Sequence, residues 1–350
     1  MHNNNAISIS TGNVIKGIAL VMMVFHHCYG FTMWYIPGIH PTCQPDFHKT
    51  ALAFKLCVCI YAFLTGWAYF HHRDKTCKYS ITKNISILTE YSIILLFTIG
   101  LASIFCSYHL TFDSFINELL PVKKMHRLMR FSWYIGFYLV AMVLLPFIAS
   151  IFDKKVTLKK LPIVAGVCVI GFSVLAMISS RDACWIICIA NGYLCAQYDI
   201  PGLISKQLKK IPFYPVAGLI LAIGAVWLYF YQSQILSTGT DVLFTPLFCC
   251  GVVLMYPFLQ KIRFVAPLSF LGKHSLNVWL LHGLFFSTFT RDFFQPAAYA
   301  IDSPLYVIPF VLGSCLLVSI VLKPVQNAVR KLVLHGLTET EPPTSSRTES

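Results

Sequence analysis

Ten long apolar runs separated by short polar segments organise this sequence, at 14–33, 51–70, 86–106, 131–151, 161–179, 183–198, 212–231, 242–260, 267–289 and 304–323. A helix needs about 20 mostly apolar residues to cross the hydrocarbon of a bilayer. The pattern therefore predicts an all-α, polytopic integral membrane protein of about ten transmembrane helices, with 183–198 the shortest. Residues 10–325 form one helical domain in this reading. The stretch 336–350, rich in Thr, Ser, Glu and Pro, is expected to be a disordered tail on the cytoplasmic side. No internal repeat and no soluble domain is evident.

Composition agrees with lipid as the solvent. The 350 residues are 57% hydrophobic and only 12% charged, with a mean hydropathy of +0.68. A soluble domain carries about 25% charged residues, because its large surface stays wet. The net charge of +13 would suggest nucleic acid in a soluble protein. Here the cations gather in the short segments between apolar runs, where they orient a membrane protein, so no nucleic-acid partner is expected. With the N-terminus cytoplasmic, the inner segments hold 18 Lys and Arg and the outer ones 7. Both termini are thus expected in the cytoplasm of a cell whose plasma membrane the chain spans. One segment runs against this: 107–130 places Lys123, Lys124, Arg127 and Arg130 on the outer side, either as a solvated loop or for an electrostatic purpose. The first apolar run shows no cleavage site of small residues, so no cleavable signal is expected. Most of the 13 Cys sit inside apolar runs and act there as small hydrophobes. Cys57/Cys59, Cys184/Cys188 and Cys249/Cys250 lack a second pair of ligands at zinc spacing, and no metal site is expected.

Ionisable residues inside spans are costly and are candidates for function. Lys16 and His27 lie on the first span, eleven residues apart. That spacing brings them to within about 20° of one another and about 16 Å apart along the axis. His26 points about 80° away from Lys16. The plainer alternative has Lys16 snorkelling to the interface while the histidines bond across helices. A histidine can take and return a proton near neutral pH, as a general base for acyl transfer or as a relay in a transporter. Spacing alone does not separate the two. A second polar cluster holds Lys273, His274, Ser275, Asn277 and His282. Trp133 and Tyr134, after Arg130, could be interfacial aromatics. Acids are almost confined to loops, Glu90 being the main exception.

Together these segments resemble the acyltransferase-3 family of integral membrane O-acyltransferases, over about residues 10–325. Three motifs carry the resemblance: Lys16 followed after ten residues by His27; Ala62-Phe63-Leu64-Thr65-Gly66-Trp67 in the second span; and Leu271-Gly272-Lys273-His274-Ser275 through Leu281-His282. A weaker echo is Phe131-Ser132-Trp133-Tyr134-Ile135. Lys16 stands where many members have Arg, and the family's paired arginines after the second span are replaced by Arg73, Asp74, Lys75 and Lys78. The resemblance implies transfer of an acyl group, usually acetyl, from a cytoplasmic acyl-CoA to a hydroxyl on a surface or lipid-linked glycan such as an exopolysaccharide. In it, His27 would be the catalytic residue, as base or acyl carrier, with Lys16 as its electrostatic partner. His26, Trp133, Tyr134, Ser275 and His282 would support the site. The basic loop from Arg73 to Lys83, with Arg73, Lys75 and Lys78 foremost, would attract the donor's phosphates. Acetyl-CoA would act as a substrate, with no bound cofactor. The other readings are a proton-coupled transporter, which would favour repeats and paired acids in the spans, and a non-catalytic relative.

Overall fold

The computed structural model describes residues 6–39, 41, 44–72, 76–119, 128–152, 181–235 and 241–339. Every regular element among them is helical. In chain order these are α1 (Ile9–Tyr29), α2 (Gln44–Ala53), α3 (Cys57–Phe70), α4 (Cys77–Phe105), α5 (Phe112–Leu119), α6 (Trp133–Phe152), α7 (Arg181–Gln197), α8 (Ile200–Leu208), α9 (Tyr214–Ile235), α10 (Asp241–Lys261), α11 (Val265–Lys273), α12 (Ser275–Leu281), α13 (Arg291–Ala298) and α14 (Pro304–Glu339). Local chemistry sets the starts that matter below. Ser8 caps α1 by accepting from Thr11 N at 3.2 Å. Thr76 caps α4 by accepting from Tyr79 N at 3.3 Å, satisfying one of the free amides at each helix start.

Among the described residues, 7 helices are long and apolar enough to cross a membrane. They correspond to seven of the ten expected runs. The run 161–179 lies outside the described residues. The other two, Trp185–Gln197 and Ser275–Phe285, are shorter apolar helices. The last of these corrects the expectation of one continuous span over 267–289. The helix breaks at His274, which has φ −98° and ψ 5° and whose Nδ1 shares a hydrogen bond of 2.8 Å with Ser319 Oγ. Up to the break, α11 runs antiparallel to the first half of α1, with Leu268 against Gly17 and Gly272 against Asn13. After it, α12 and the 3₁₀ turn His282–Phe285 return alongside α1, so that Ser275 shares a cavity with Lys16 and His282 touches His27. The physical reason is polarity: Lys273 stays exposed, and a continuous span would carry its charge into hydrocarbon. The eleven residues from Ser275 to Phe285 rise only about 16 Å, half of a bilayer core.

Two helix crossings position the site, and both run through motif glycines. A Cβ at Gly272 would overlap Asn13 O and one at Gly17 would overlap Leu268 O, so α1 and α11 touch backbone to backbone. Likewise Gly66 of α3 meets Ile189 O of α7, and Gly192 of α7 meets Phe63 O of α3. Small residues are what allow helices to pack this closely in lipid, where water supplies no hydrophobic drive. Replacing Gly66 with Ala is expected to cost about 1–3 kcal/mol through overpacking. The readout is a lower thermal midpoint of the detergent-solubilised chain, and an unchanged midpoint would show that the crossing tolerates separation. Beyond the expected run 304–323, α14 continues as helix to Glu339, past the boundary drawn at Gly336; residues 340–350 lie outside the described set.

Candidate active site

The last turn of α1 carries His26 and His27, both buried, at 5% and 8% exposure, but in different surroundings. His26 Nδ1–H donates to Ala51 O at 2.6 Å and so ties α1 to α2. His27 turns instead towards α12. Its Nδ1 lies 2.6 Å from Nε2 of His282, and their rings are nearly parallel, with centroids 4.8 Å apart and 3° between planes. Phe131 stacks on both, at 4.1 Å from His27 and 4.6 Å from His282. Trp34, at 5.4 Å, and Phe286, at 6.2 Å, complete an aromatic enclosure around His27.

The network fixes the tautomers. His282 Nδ1 lies 3.3 Å from Val278 O. A carbonyl only accepts, so this nitrogen carries the proton and Nε2 of His282 is the bare one. The proton in the 2.6 Å contact therefore sits on His27 Nδ1, which donates to His282. That leaves His27 Nε2 with its lone pair, and no described residue forms a hydrogen bond to it. A basic nitrogen oriented by a second group through its other nitrogen is the arrangement of a general base. The two residues differ slightly in exposure: His282 is fully buried at 0% while His27 retains 8%.

At the other end of α1, Lys16 lines a cavity of about 270 Å³. Its walls come from α1, α3, α4, α6 and α12, and include Tyr61, Thr65, Lys83, Tyr134, Ser275 and Trp279. Lys16 is half-buried and Lys83 exposed, so the cavity carries two cations and no acid among its lining residues. Tyr61 OH donates to Lys16 O at 3.0 Å. Trp279 separates this cavity from the histidine pair: it lines the cavity while its Nε1–H donates to Phe131 O at 3.1 Å. Tyr61 and Tyr134 flank it at 5.2 Å and 4.9 Å.

The structure thus separates the sequence candidates into groups. Lys16, Tyr134 and Ser275 meet at the cavity, and His27 and His282 form the pair. Lys16 is therefore not in contact with His27, although both face α12. His26 serves a helix junction, and Trp133 stacks on Trp185 of α7 at 4.9 Å, away from the cavity lining. Lys78 is exposed at the start of α4 and does not line the cavity; Arg73 and Lys75 lie outside the described residues. Lys83 was expected at the end of the basic loop that begins at Arg73, and the structure instead places it on α4 at the cavity wall. Its signal was Thr76, whose cap starts α4 early enough to make Lys83 helical. Tyr61 and Trp279 were passed over, although each lies within a turn of a motif residue, Thr65 or His282.

The geometry can be set against known proteins. A family model described as an acyltransferase domain matches residues 13–323. No curated protein and no solved structure matches the chain. The matched segment contains both the cavity and the histidine pair, and with its apolar helices this chain is a membrane acyltransferase belonging to the acyltransferase-3 family.

Proposed function

We propose that this protein takes an acyl group, acetyl in the simplest case, from a cytoplasmic acyl-CoA and delivers it to a hydroxyl of a surface or lipid-linked glycan. The observation that carries the reading is the His27–His282 pair, with the bare Nε2 of His27 held inside an aromatic enclosure. In the transfer, Nε2 takes the proton of the acceptor hydroxyl, whose oxygen attacks the thioester carbonyl carbon. The C–S bond then breaks and coenzyme A leaves as the thiol, the proton returning through His27. His282 holds the imidazole in the tautomer this requires.

The donor enters from the Lys16 end, and the balance of positive charge supports a cytoplasmic position for that end and for both termini. Lys16 and Lys83 supply charge for its phosphates. The pantetheine arm runs past Tyr61, Tyr134 and Trp279 towards His27, which accounts for the distance between the lysine and the histidine on α1. Lys83 keeps the donor role expected of the basic loop from Arg73 to Lys83.

The test is transfer of label from acetyl-[¹⁴C]CoA into the glycan fraction of membrane vesicles from cells lacking their own copy of the chain. Lys16→Ala and Lys83→Ala are each expected to raise KM for acetyl-CoA about tenfold, the worth of one charge-assisted hydrogen bond. High salt should narrow the gap for the exposed Lys83, whose charge is screened. An unchanged KM in both variants rules out the donor assignment. Absence of labelled glycan with the wild-type chain rules out the acceptor class.

A further inference from the structure

Arg130 sits immediately before the aromatic wall of the histidine site and is held on both sides. Upstream, the buried Glu118 carboxylate accepts from Leu128 N at 2.8 Å and Met129 N at 3.0 Å. Downstream, Phe131 O accepts from the Trp279 indole at 3.1 Å. Between these points the guanidinium lies over the Trp34 ring, 4.7 Å from its centroid, and Nη1 donates to Phe286 O at 3.3 Å. Trp34 and Phe286 are the same rings that enclose His27. The two ring distances place the guanidinium no more than about 10 Å from the His27 imidazole.

No described carboxylate forms an ion pair with Arg130, although the side chain is half-buried. Glu118 is engaged by backbone amides, and Asp292 stands 3.7 Å from Arg291 and is largely exposed. Burial, and then the charge of Arg291, both work against the positive charge on Arg130. A cation kept half-buried, near a second cation and with no acid among the described residues to neutralise it, has a use for an anion from outside. The same segment carries the basic residues that break the charge rule of the sequence. Its position at the His27 end, away from Lys16 and Lys83, makes the coenzyme's phosphates an unsuitable partner.

We infer that Arg130 is a specificity residue for the acceptor, binding a carboxylate or phosphate carried by the sugar whose hydroxyl is presented to His27. The inference rests on the glycan acylation proposed above and narrows it to acidic glycans. The planar guanidinium, held over Trp34, offers its remaining donors as a fork suited to an oxyanion. A sugar anchored there by its acidic group brings a neighbouring hydroxyl within reach of His27 Nε2. Acyl transfer itself is unchanged: Arg130 sets which acceptor is held, and how tightly.

The experiment uses the full chain in vesicles, acetyl-[¹⁴C]CoA as donor, and glycan extracted from cells from which the gene has been deleted. Parallel arms use the same glycan after carbodiimide amidation, which removes carboxylate charge, and after hydrofluoric acid, which removes phosphate. The wild-type product is expected to bind an anion exchanger at neutral pH. Arg130→Gln is expected to raise the acceptor KM about tenfold or more while kcat stays within about twofold, with Arg130→Lys intermediate. One chemical treatment should reproduce the Gln effect on the wild-type chain and identify the anion. A neutral labelled product, or loss through kcat with KM unchanged, overturns the inference. So does a Gln effect reproduced by exchanging anionic for zwitterionic lipid, which would assign Arg130 to a lipid phosphate. If the wild-type chain labels no glycan, the glycan reading itself has failed and this inference falls with it. That outcome is distinct because no variant is needed to see it.

Discussion

His27→Ala is expected to lower acyl transfer by about 10³-fold, within the range that a positioned general base contributes. The more informative variant is His27→Gln. Its amide can still donate to His282 Nε2 and fill much of the imidazole volume beside Phe131, but it offers no basic nitrogen. It should fold, reach the membrane and be as inactive as the alanine variant. His282→Ala removes the acceptor of the 2.6 Å hydrogen bond and should cost less, about tenfold, the worth of one orienting bond. His282→Gln restores an oxygen able to accept from His27 Nδ1 and is expected to recover part of that loss, as a positioning role requires. His26→Ala leaves Ala51 O without its donor, so it should lower the thermal midpoint more than the turnover of surviving protein. The measurement is label transfer normalised to folded protein by gel filtration. Retention of more than a tenth of wild-type activity in His27→Gln would rule out the base.

Much of this site can be read from the sequence because hydrocarbon leaves few explanations for a buried charge. Lys16 and His27 stand out by residue type and share a face by helical period, and the structure turns both towards α12. What periodicity cannot supply is what lies between them. The expected span 267–289 is apolar throughout apart from its polar motif residues, and nothing local marks a reversal at His274. The break is decided by Lys273 remaining outside, by Ser319 of α14 bonding His274, and by the close approach of Gly17 to Leu268 and of Gly272 to Asn13, all of them tertiary facts. Because of the reversal, Ser275 and His282, seven residues apart, lie alongside Lys16 and His27, eleven apart. The pairing of His282 with His27 follows from that geometry and not from either motif alone. Lys83 was legible as a cation of the basic loop but not as a helical residue, because the apolar run begins after it, whereas the capped helix begins before it. Arg130 was noticed only as an exception to a charge rule; its place over Trp34 depends on Glu118 and Trp279, which are remote in sequence.

Glu90, the main acid within a span, is expected to govern stability. Its carboxylate meets Lys323 Nζ at 2.9 Å and Arg330 Nη1 at 3.0 Å, both on α14. Gln326, between them, donates to Glu90 O at 3.2 Å and exchanges hydrogen bonds with Asn277 of α12 at 2.9 and 3.1 Å. Positions 323, 326 and 330 form one stripe of α14 at helical spacing. The first 19 residues of α14 already rise about 28 Å, so this stripe lies where the helix leaves a core about 30 Å thick. Glu90 is 8% exposed, but Lys323 and Arg330 are 30% and 36% exposed. The loss for Glu90→Ala is therefore below the 3–5 kcal/mol of breaking a fully buried pair, and about 2 kcal/mol is expected. Glu90→Gln keeps acceptor oxygen but removes the charge, and should fall between wild type and Ala. Glu90→Ala combined with Lys323→Ala should recover part of the loss, because one of the two orphaned cations is gone. Since Asn277 lies two residues before Trp279 on α12, loosening this network also frees the helix that carries Trp279 and His282. Turnover at permissive temperature should therefore drop along with the thermal midpoint in detergent. A midpoint unchanged in Glu90→Ala would mean that α4 and α14 are held together by apolar packing alone, with the charges contributing nothing to the bundle.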